Sequence, residues 1–325
     1  MVRAVVCREL GPPERLRLET SVRSPLGKGQ VRVAIRAAGI NFPDILMAAG
    51  EYQLKPELPF TPGVEAAGDV IEIDGEASGF AIGDRVIVRM RHGAYTDEAA
   101  VAAAQLTPLP KNFDYAEGAS FLAAHGTAYH ALVDRGQLRS GETLLVHGAG
   151  GGVGLAAVEI GKLLGATVIA AASNQEKLAV ISARGADHVV LYAHEPFRDA
   201  VKRITDGRGA DVVFDPVGGK VFEDSLRCIA WGARLLVIGF TGGIGLARTN
   251  LVLIKGASVL GVRAGEAVRK NPALGERRLR ELLQWAEAGK IRPHVSHRLP
   301  LEDYAKAMRL LIERKAIGRV ALMMR

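Results

Sequence analysis

Between Met1 and about residue 121, apolar positions come in short alternating runs broken by glycine and proline, at 1–6, 30–37, 64–73, 84–88 and 94–101. Alternation with a period of two is the signature of strands that bury one face, so this part of the chain predicts a β-rich module. From about Gly141 the pattern changes. Strand-like runs at 143–147, 167–172, 188–191, 212–215 and 234–239 alternate with helical segments at 155–164, 176–184, 197–205 and 220–230. Strand–helix alternation at that spacing predicts an α/β unit with a doubly wound parallel sheet. Two longer helical patterns follow at 275–288 and 301–314, and the strand-like stretch 319–323 is expected to return to the first module. The predicted domains are therefore 1–122 with 267–325, and 123–266.

Composition narrows the class. A chain of 325 residues that is 48% hydrophobic and 24% charged can bury a full core, which excludes disorder, and 38 glycines fit tightly turned α/β sheets. No apolar run approaches the ~20 residues that span a bilayer, so no membrane association is expected and a soluble, cytoplasmic protein is. Cys7 and Cys228 are the two cysteines of the sequence. They offer no disulfide framework and no Cys-x-x-Cys zinc pair, and both read as inert core thiols. The formal charge of +7 resembles a nucleic-acid signal until it is located: residues 263–325 hold 15 of the 42 Lys and Arg but 7 of the 35 acids. The excess lies in amphipathic helices, where Leu279, Leu282, Leu283 and Ala286 mark a buried stripe and the arginines a wet face. A solvated face is expected there, and nucleic acid is not expected as a partner.

The sharpest local signal follows the run 143–147. Gly148-Ala149-Gly150-Gly151-Gly152-Val153-Gly154 leads directly into a helix, the setting in which backbone N–H groups meet a pyrophosphate. Gly151 and Gly154 take the second and third glycine places of the dinucleotide fingerprint, with Ala149 in the first. Gly150, Gly151, Gly152 and Val153 are thus expected to bind the cofactor. An NAD-preferring site ends its second strand with an acid about 20 residues after the glycines. Here that place reads Ala171-Ala172-Ser173-Asn174-Gln175-Glu176-Lys177. Ser173 and Asn174 can donate hydrogen bonds, Lys177 can reach as a cation, and no carboxylate sits at the strand end to repel a 2′-phosphate. NADPH is the expected cofactor. The plainer alternative makes Lys177 an exposed first-turn residue, and Glu176 is the residue that weighs against the reading. Val217, after Asp215-Pro216, lies at another strand end where ligands bind, while Asp215 itself reads as a turn or cap.

The order of these features resembles the medium-chain dehydrogenase/reductase superfamily. Asn41-Phe42-Pro43-Asp44, Gly50-Glu51-Tyr52, Pro62-Gly63-Val64-Glu65, Gly83-Asp84-Arg85-Val86, Gly93-Ala94-Tyr95, Thr127-Ala128-Tyr129, the glycine turn and the ending 315–322 are similar to the zinc-independent quinone oxidoreductases related to zeta-crystallin. The resemblance covers essentially the whole chain. It implies a GroES-like β-rich catalytic domain and a Rossmann domain, with Asn41, Tyr52 and Thr127 at the nicotinamide end of the site, Tyr192 near the adenosine phosphate, and Gly239 and Phe240 against the cofactor. Plainer roles stand beside these: Asn41 as a loop-shaping residue, Tyr52 as an exposed turn aromatic, and Thr127 as a helix cap. Asp44 reads as a loop-positioning acid, and Glu65 as a strand-embedded acid paired with an arginine.

Zinc catalysis needs Cys and His ligands around an open position. The segment 38–44 has no cysteine, Val64 stands where a histidine would precede Glu65, and the stretch after Arg91 lacks a four-cysteine lobe. No metal is expected. Without a Lewis acid a simple alcohol is hard to oxidise, whereas quinones and α,β-unsaturated carbonyls accept hydride directly from a reduced nicotinamide. The expected activity is NADPH-dependent quinone reduction, by one or two electrons. The alternatives are reduction of enals, enones or enoyl thioesters, and an NADPH-binding protein of crystallin-like or RNA-binding kind without turnover. Apolar strands at 235–240 and 258–262 suggest an uncovered sheet edge and a homodimer, as does the resemblance.

Overall fold

The computed structural model describes residues 1–75 and 79–325, and divides into two compact units: Met1–Ala123 with Pro293–Arg325, and Ala124–Arg292. The second passage of chain into the first unit thus begins at Pro293 and not at 267 as expected. The reason is packing within the second unit. The helix Pro272–Glu287 stays there because Arg278 donates to the Gly126 carbonyl at 3.2 Å, Tyr129 donates to Glu281 at 2.7 Å, and the rings of Tyr129 and Trp285 lie 5.7 Å apart.

In the first unit, a seven-stranded sheet runs Val295–Pro300, Arg319–Met323, Gln30–Gly39, Glu65–Ile73, Arg85–Arg89, Leu106–Pro108, with Glu98–Ala102 also paired to Gln30–Gly39. Val2–Val6 and Arg17–Ser21 form a separate antiparallel pair. The alternation in the sequence maps onto this sheet: Val31, Val33 and Ile35 point into the core with Val70, Val86 and Val88. The closing strand lies antiparallel to Gln30–Gly39, with Ala321 opposite Gly39 and Leu322 opposite Ala38. This pairing brings the C-terminal residues beside the segment that leads to Asn41. The sequence pattern did not anticipate the helix Phe42–Ala49, whose start is set by Pro43 in its first turn and whose end is set by left-handed Gly50.

The second unit holds a six-stranded parallel sheet in the order His188–Leu191, Thr167–Ala172, Thr143–Val146, Ala210–Asp215, Ile229–Val237, Ser258–Gly261. Counted along the chain this is 3-2-1-4-5-6, the doubly wound order expected. Its strand order reverses between Thr143–Val146 and Ala210–Asp215, and ligands of such sheets bind outside the strand ends at that reversal. The helix expected over 220–230 is shorter, Gly219–Ser225, because Cys228, Ile229 and Ala230 are buried as the next strand begins.

Two further expectations shift. The buried stripe of Pro272–Glu287 is Arg278, Leu282 and Ala286, so one arginine of the presumed wet face is turned inward, its guanidinium satisfied by carbonyls of Gly126 and Ala264. Of the two apolar strands proposed for an open edge, Ile229–Val237 is covered by Ser258–Gly261, which alone forms that edge. Both cysteines are free and buried, and burial pushes the Cys228 thiol up to about 12. Among the described residues, no helix is long and apolar enough to cross a membrane.

Candidate functional site

The glycine turn sits at the strand reversal of the second unit. The helix Gly152–Leu163 begins with Gly151 as its cap, so no side chain covers the N–H groups of its first turn. The three glycines serve different ends. A methyl on Gly154 would lie 2.4 Å from the Gly148 carbonyl oxygen and 2.7 Å from the Ala149 Cα, so this glycine lets helix and turn pack together. A methyl on Gly150 would strike the stem of Lys177 at 2.7 Å. Gly151 is different: its backbone (φ −85°, ψ 168°) suits any residue, and the nearest protein atom to an added methyl is at an ordinary 3.4 Å. The protein itself does not need a glycine there. Space held open beside capless helix N–H groups fits an anion bound by backbone, which is what a dinucleotide's pyrophosphate requires.

Beneath the turn lies a buried chain of hydrogen bonds that the sequence reading missed. Ser225 Oγ donates to the Val221 carbonyl at 2.7 Å, so it must accept from His147 Nε2 at 2.8 Å. That fixes the tautomer: Nδ1 is the acceptor, and Tyr192 O–H donates to it at 2.8 Å. The Gly148 N–H in turn donates to the Tyr192 oxygen. Burial pushes His147 down to about 3, keeping the imidazole neutral, and pushes Tyr192 up. Tyr192 therefore braces the first residue of the turn. Its hydroxyl is committed inward, to His147 and the turn.

At the end of the strand Thr167–Ala172, Ser173 and Asn174 are exposed, as is Glu176, while Lys177 is only 7% exposed and its stem packs on Gly150. The burial rules out the exposed first-turn reading of Lys177. Asn174 Oδ1 accepts from the Lys177 N–H at 3.1 Å, so it caps the helix Gln175–Ala183 and only its amide nitrogen remains for a ligand. Asp215 is a turn residue as expected: one oxygen accepts from Val217 N–H at 2.8 Å and Gly218 N–H at 3.0 Å. Val217 is held there at the strand end, and Gly239 follows the next strand with its N–H directed to the Asp215 carbonyl at 3.4 Å. Phe240 is half exposed beside them. Thr127 lies within the helix Leu122–Tyr129, half-buried, and not at its start, which removes the capping alternative.

In the first unit, Asn41 and Asp44 open the helix Phe42–Ala49. Asp44 is fully buried and accepts from Asn41 N–H and from Tyr95 O–H, each at 2.8 Å. Desolvation pushes its carboxyl up to about 6. Asn41 Oδ1 accepts from Arg319 at 2.9 Å, and its amide nitrogen donates to the Gly39 carbonyl at 3.2 Å. Glu65, at the start of its strand, accepts from Leu122 and Ala123 N–H at 2.5 and 3.1 Å and faces Arg319 at 3.8 Å, the arginine partner anticipated for it. Burial pushes Glu65 up to about 7 and lowers Arg319. Tyr52 is half-buried, packed on the core of this unit and not an exposed turn aromatic. The structure thus gathers Asn41, Asp44, Tyr95, Glu65 and Arg319 in one unit, and Gly150–Val153, Lys177, Tyr192, Val217 and Gly239 in the other. No three His, Cys, Asp or Glu side chains are grouped to hold a metal ion among the described residues.

A β-rich unit combined with a doubly wound sheet carrying an open glycine cradle defines a nicotinamide-dependent oxidoreductase. Comparison with known proteins agrees. Residues 27–111 match the alcohol dehydrogenase GroES-like domain and residues 152–287 the zinc-binding dehydrogenase family. A quinone oxidoreductase-like protein 2 homolog from Nematostella vectensis is 37% identical over 98% of this chain and 88% of its own length. Human quinone oxidoreductase is 30% identical over 100% of this chain and 98% of its own. Among solved structures, a probable oxidoreductase from Mycobacterium abscessus superposes with a TM-score of 0.90 at 38% identity, covering 99% of this chain and 98% of that one. A mycobacterial protein solved with NADPH superposes with a TM-score of 0.90 at 28% identity, covering 99% of each. The chain belongs to the medium-chain dehydrogenase/reductase superfamily, in its zinc-independent quinone oxidoreductase branch.

Proposed function

We propose that this chain is a cytoplasmic, homodimeric, NADPH-dependent reductase of quinones. The observation that carries the cofactor assignment is Lys177, buried against Gly150 at the edge of the glycine turn, with no carboxylate at the end of the preceding strand. A cation in that place favours a 2′-phosphate over a free 2′-hydroxyl. When bound, the reduced nicotinamide supplies the hydride. The chain's own residues then have three tasks. The N–H groups of Gly152 and Val153, with the open space at Gly151, receive the pyrophosphate, and the Gly148–Tyr192–His147–Ser225 chain holds the turn in shape for it. Val217, Gly239 and Phe240 offer the surface on which the cofactor lies. Asn41 presents an amide N–H to a carbonyl oxygen, of the carboxamide or of the acceptor. A quinone accepting hydride places the charge on its carbonyl oxygen, and a proton from solvent then completes the hydroquinone, so the chain need only position the acceptor, polarise its carbonyl and admit that proton.

The homodimer reading is supported by the edge strand Ser258–Gly261 and by the exposed apolar side chains near it: Trp231 is 77% exposed and Leu253 79%. Edge pairing with a second copy would bury them. Light scattering of a Leu253→Lys variant should then report half the mass of the wild type. Two free buried thiols suit a reducing compartment. The acceptor is tested by loss of reduced-nicotinamide absorbance with an ortho-quinone, a para-quinone and an α,β-unsaturated ketone. Faster turnover of the quinones supports the reading. Preference for the ketone assigns double-bond reduction instead, and tight NADPH binding without any turnover assigns a binding protein.

A further inference from the structure

Arg319 is the least expected group in the first unit. It is 7% exposed, it lies at the start of the closing strand, and its guanidinium reaches across the sheet to residues some 250 positions and more away in sequence. Taking a guanidinium out of water costs several kcal/mol unless partners compensate. Gly318, at φ +72°, turns the chain into the strand, and the guanidinium lies beside Gly39, where a methyl would strike the Ala119 carbonyl oxygen at 1.9 Å before coming within 3.2 Å of Arg319. Stability alone does not explain the arrangement, because apolar residues filling the same volume serve a core at least as well.

The partner it touches most closely is the Asn41 side chain. A guanidinium is a donor with no acceptor, so the only amide atom it can face is the oxygen. The contact of 2.9 Å to Oδ1 therefore removes the two-fold ambiguity of the amide and turns the nitrogen the other way. One of the two amide protons goes to the Gly39 carbonyl at 3.2 Å, and the other has no partner among the described residues. Asp44 holds the Asn41 backbone N–H, and Glu65 forms a looser ion pair with Arg319, at 3.8 Å, through the oxygen that does not accept the N–H groups of Leu122 and Ala123. Backbone and side chain of Asn41 are thus fixed independently. The flipped amide would set a carbonyl oxygen against the incoming carbonyl oxygen, turning attraction into repulsion.

We infer that Arg319 is a positioning residue, which locks the Asn41 amide with its nitrogen toward the ligand and so makes it a dedicated hydrogen-bond donor to a carbonyl oxygen. The inference rests on the reading that Asn41 meets the cofactor or the acceptor, and a double-mutant cycle separates the two. Steady-state kinetics with NADPH and an ortho-quinone are measured for wild type, Asn41→Ala, Arg319→Met, Arg319→Lys and the two double variants, with thermal unfolding alongside. A charge-assisted contact of this kind supports a loss of about 10- to 100-fold in kcat/KM for Arg319→Met. Arg319→Lys, still a donor without an acceptor, should recover a substantial part of it. In the Asn41→Ala background both Arg319 changes should have less than about twofold further effect, since the group through which they act is gone. Additive losses in that background would overturn the inference and leave Arg319 a structural residue. Unchanged turnover of Asn41→Ala would overturn the reading beneath it and the inference together. Should Arg319→Met not fold, the Arg319→Lys pair of the cycle decides alone, because a fully additive or fully dependent effect is read from it in the same way.

Discussion

Replacing Gly151 with alanine isolates the role of the cofactor from that of the fold. The added methyl meets no protein atom closer than 3.4 Å, and the backbone at φ −85° is comfortable for alanine. Alanine is a poorer helix cap than glycine, a cost of about 1 kcal/mol. Against this, the unfolded chain loses freedom when glycine becomes alanine, a gain of roughly 0.4–1 kcal/mol. The two nearly cancel, so the thermal midpoint should move by no more than a few degrees. The affinity for NADPH should behave otherwise. A methyl standing in front of the helix N–H groups displaces the pyrophosphate from one or two charge-assisted bonds, each worth about 1.5–3 kcal/mol, which corresponds to a loss of at least about tenfold. Titration of NADPH by fluorescence, paired with a thermal melt, reads both quantities on one preparation. An unchanged Kd in a protein of unchanged stability would refute the placement of the pyrophosphate at this helix. A large fall in stability would refute the argument that the fold does not need this glycine.

Three further outcomes follow from the same structure. Gly154→Ala forces a methyl to 2.4 Å from a backbone oxygen, an overlap of about 1 Å that neither turn nor helix can yield to cheaply; chemical denaturation should show a loss of about 1–3 kcal/mol or more, besides weakened NADPH binding. Lys177→Met keeps the buried stem against Gly150 and removes the charge, so the Kd for NADPH should rise by about 10-fold or more while that for NADH stays within about twofold, as calorimetry of both cofactors would show. His147 has its pKa lowered from 6.5 to about 3. The unfolded chain therefore binds a proton that the native state refuses, and the stability this contributes is complete above about pH 6.5 and drains as pH falls toward 3, by at most about 1.4 kcal/mol per pH unit. Denaturation of His147→Gln across that range should show a shallower dependence than the wild type; parallel curves would mean that His147 is not buried and neutral.

The parts of the fold that the sequence made legible are those in which local pattern and tertiary role coincide. The central strands of the parallel sheet, Thr143–Val146, Thr167–Ala172 and Ala210–Asp215, are apolar because they are buried on both faces, and the glycine turn is conspicuous because backbone, not side chain, does its work. What escaped notice was made by long-range pairing. Nothing near Arg319 distinguishes it from the other arginines of a basic C-terminal stretch; only the register of the closing strand against Gln30–Gly39 brings it to Asn41. His147 likewise ends an ordinary apolar strand, and its partners Tyr192 and Ser225 come from two later crossings of the sheet. Arg278 was assigned to solvent by its charge, yet the helix needed a donor for two carbonyls inside the second unit. The domain boundary near 267 failed for a related reason, since an amphipathic helix shows that it packs but not on which unit.

The most direct test of the account is the ratio of kcat/KM for NADPH to that for NADH, measured anaerobically with purified protein and an ortho-quinone as acceptor. A ratio of about 10 or more in favour of NADPH is expected, from the cation at Lys177 and the missing acid at the strand end. Equal use of NADH, or no quinone turnover with either cofactor, would contradict it.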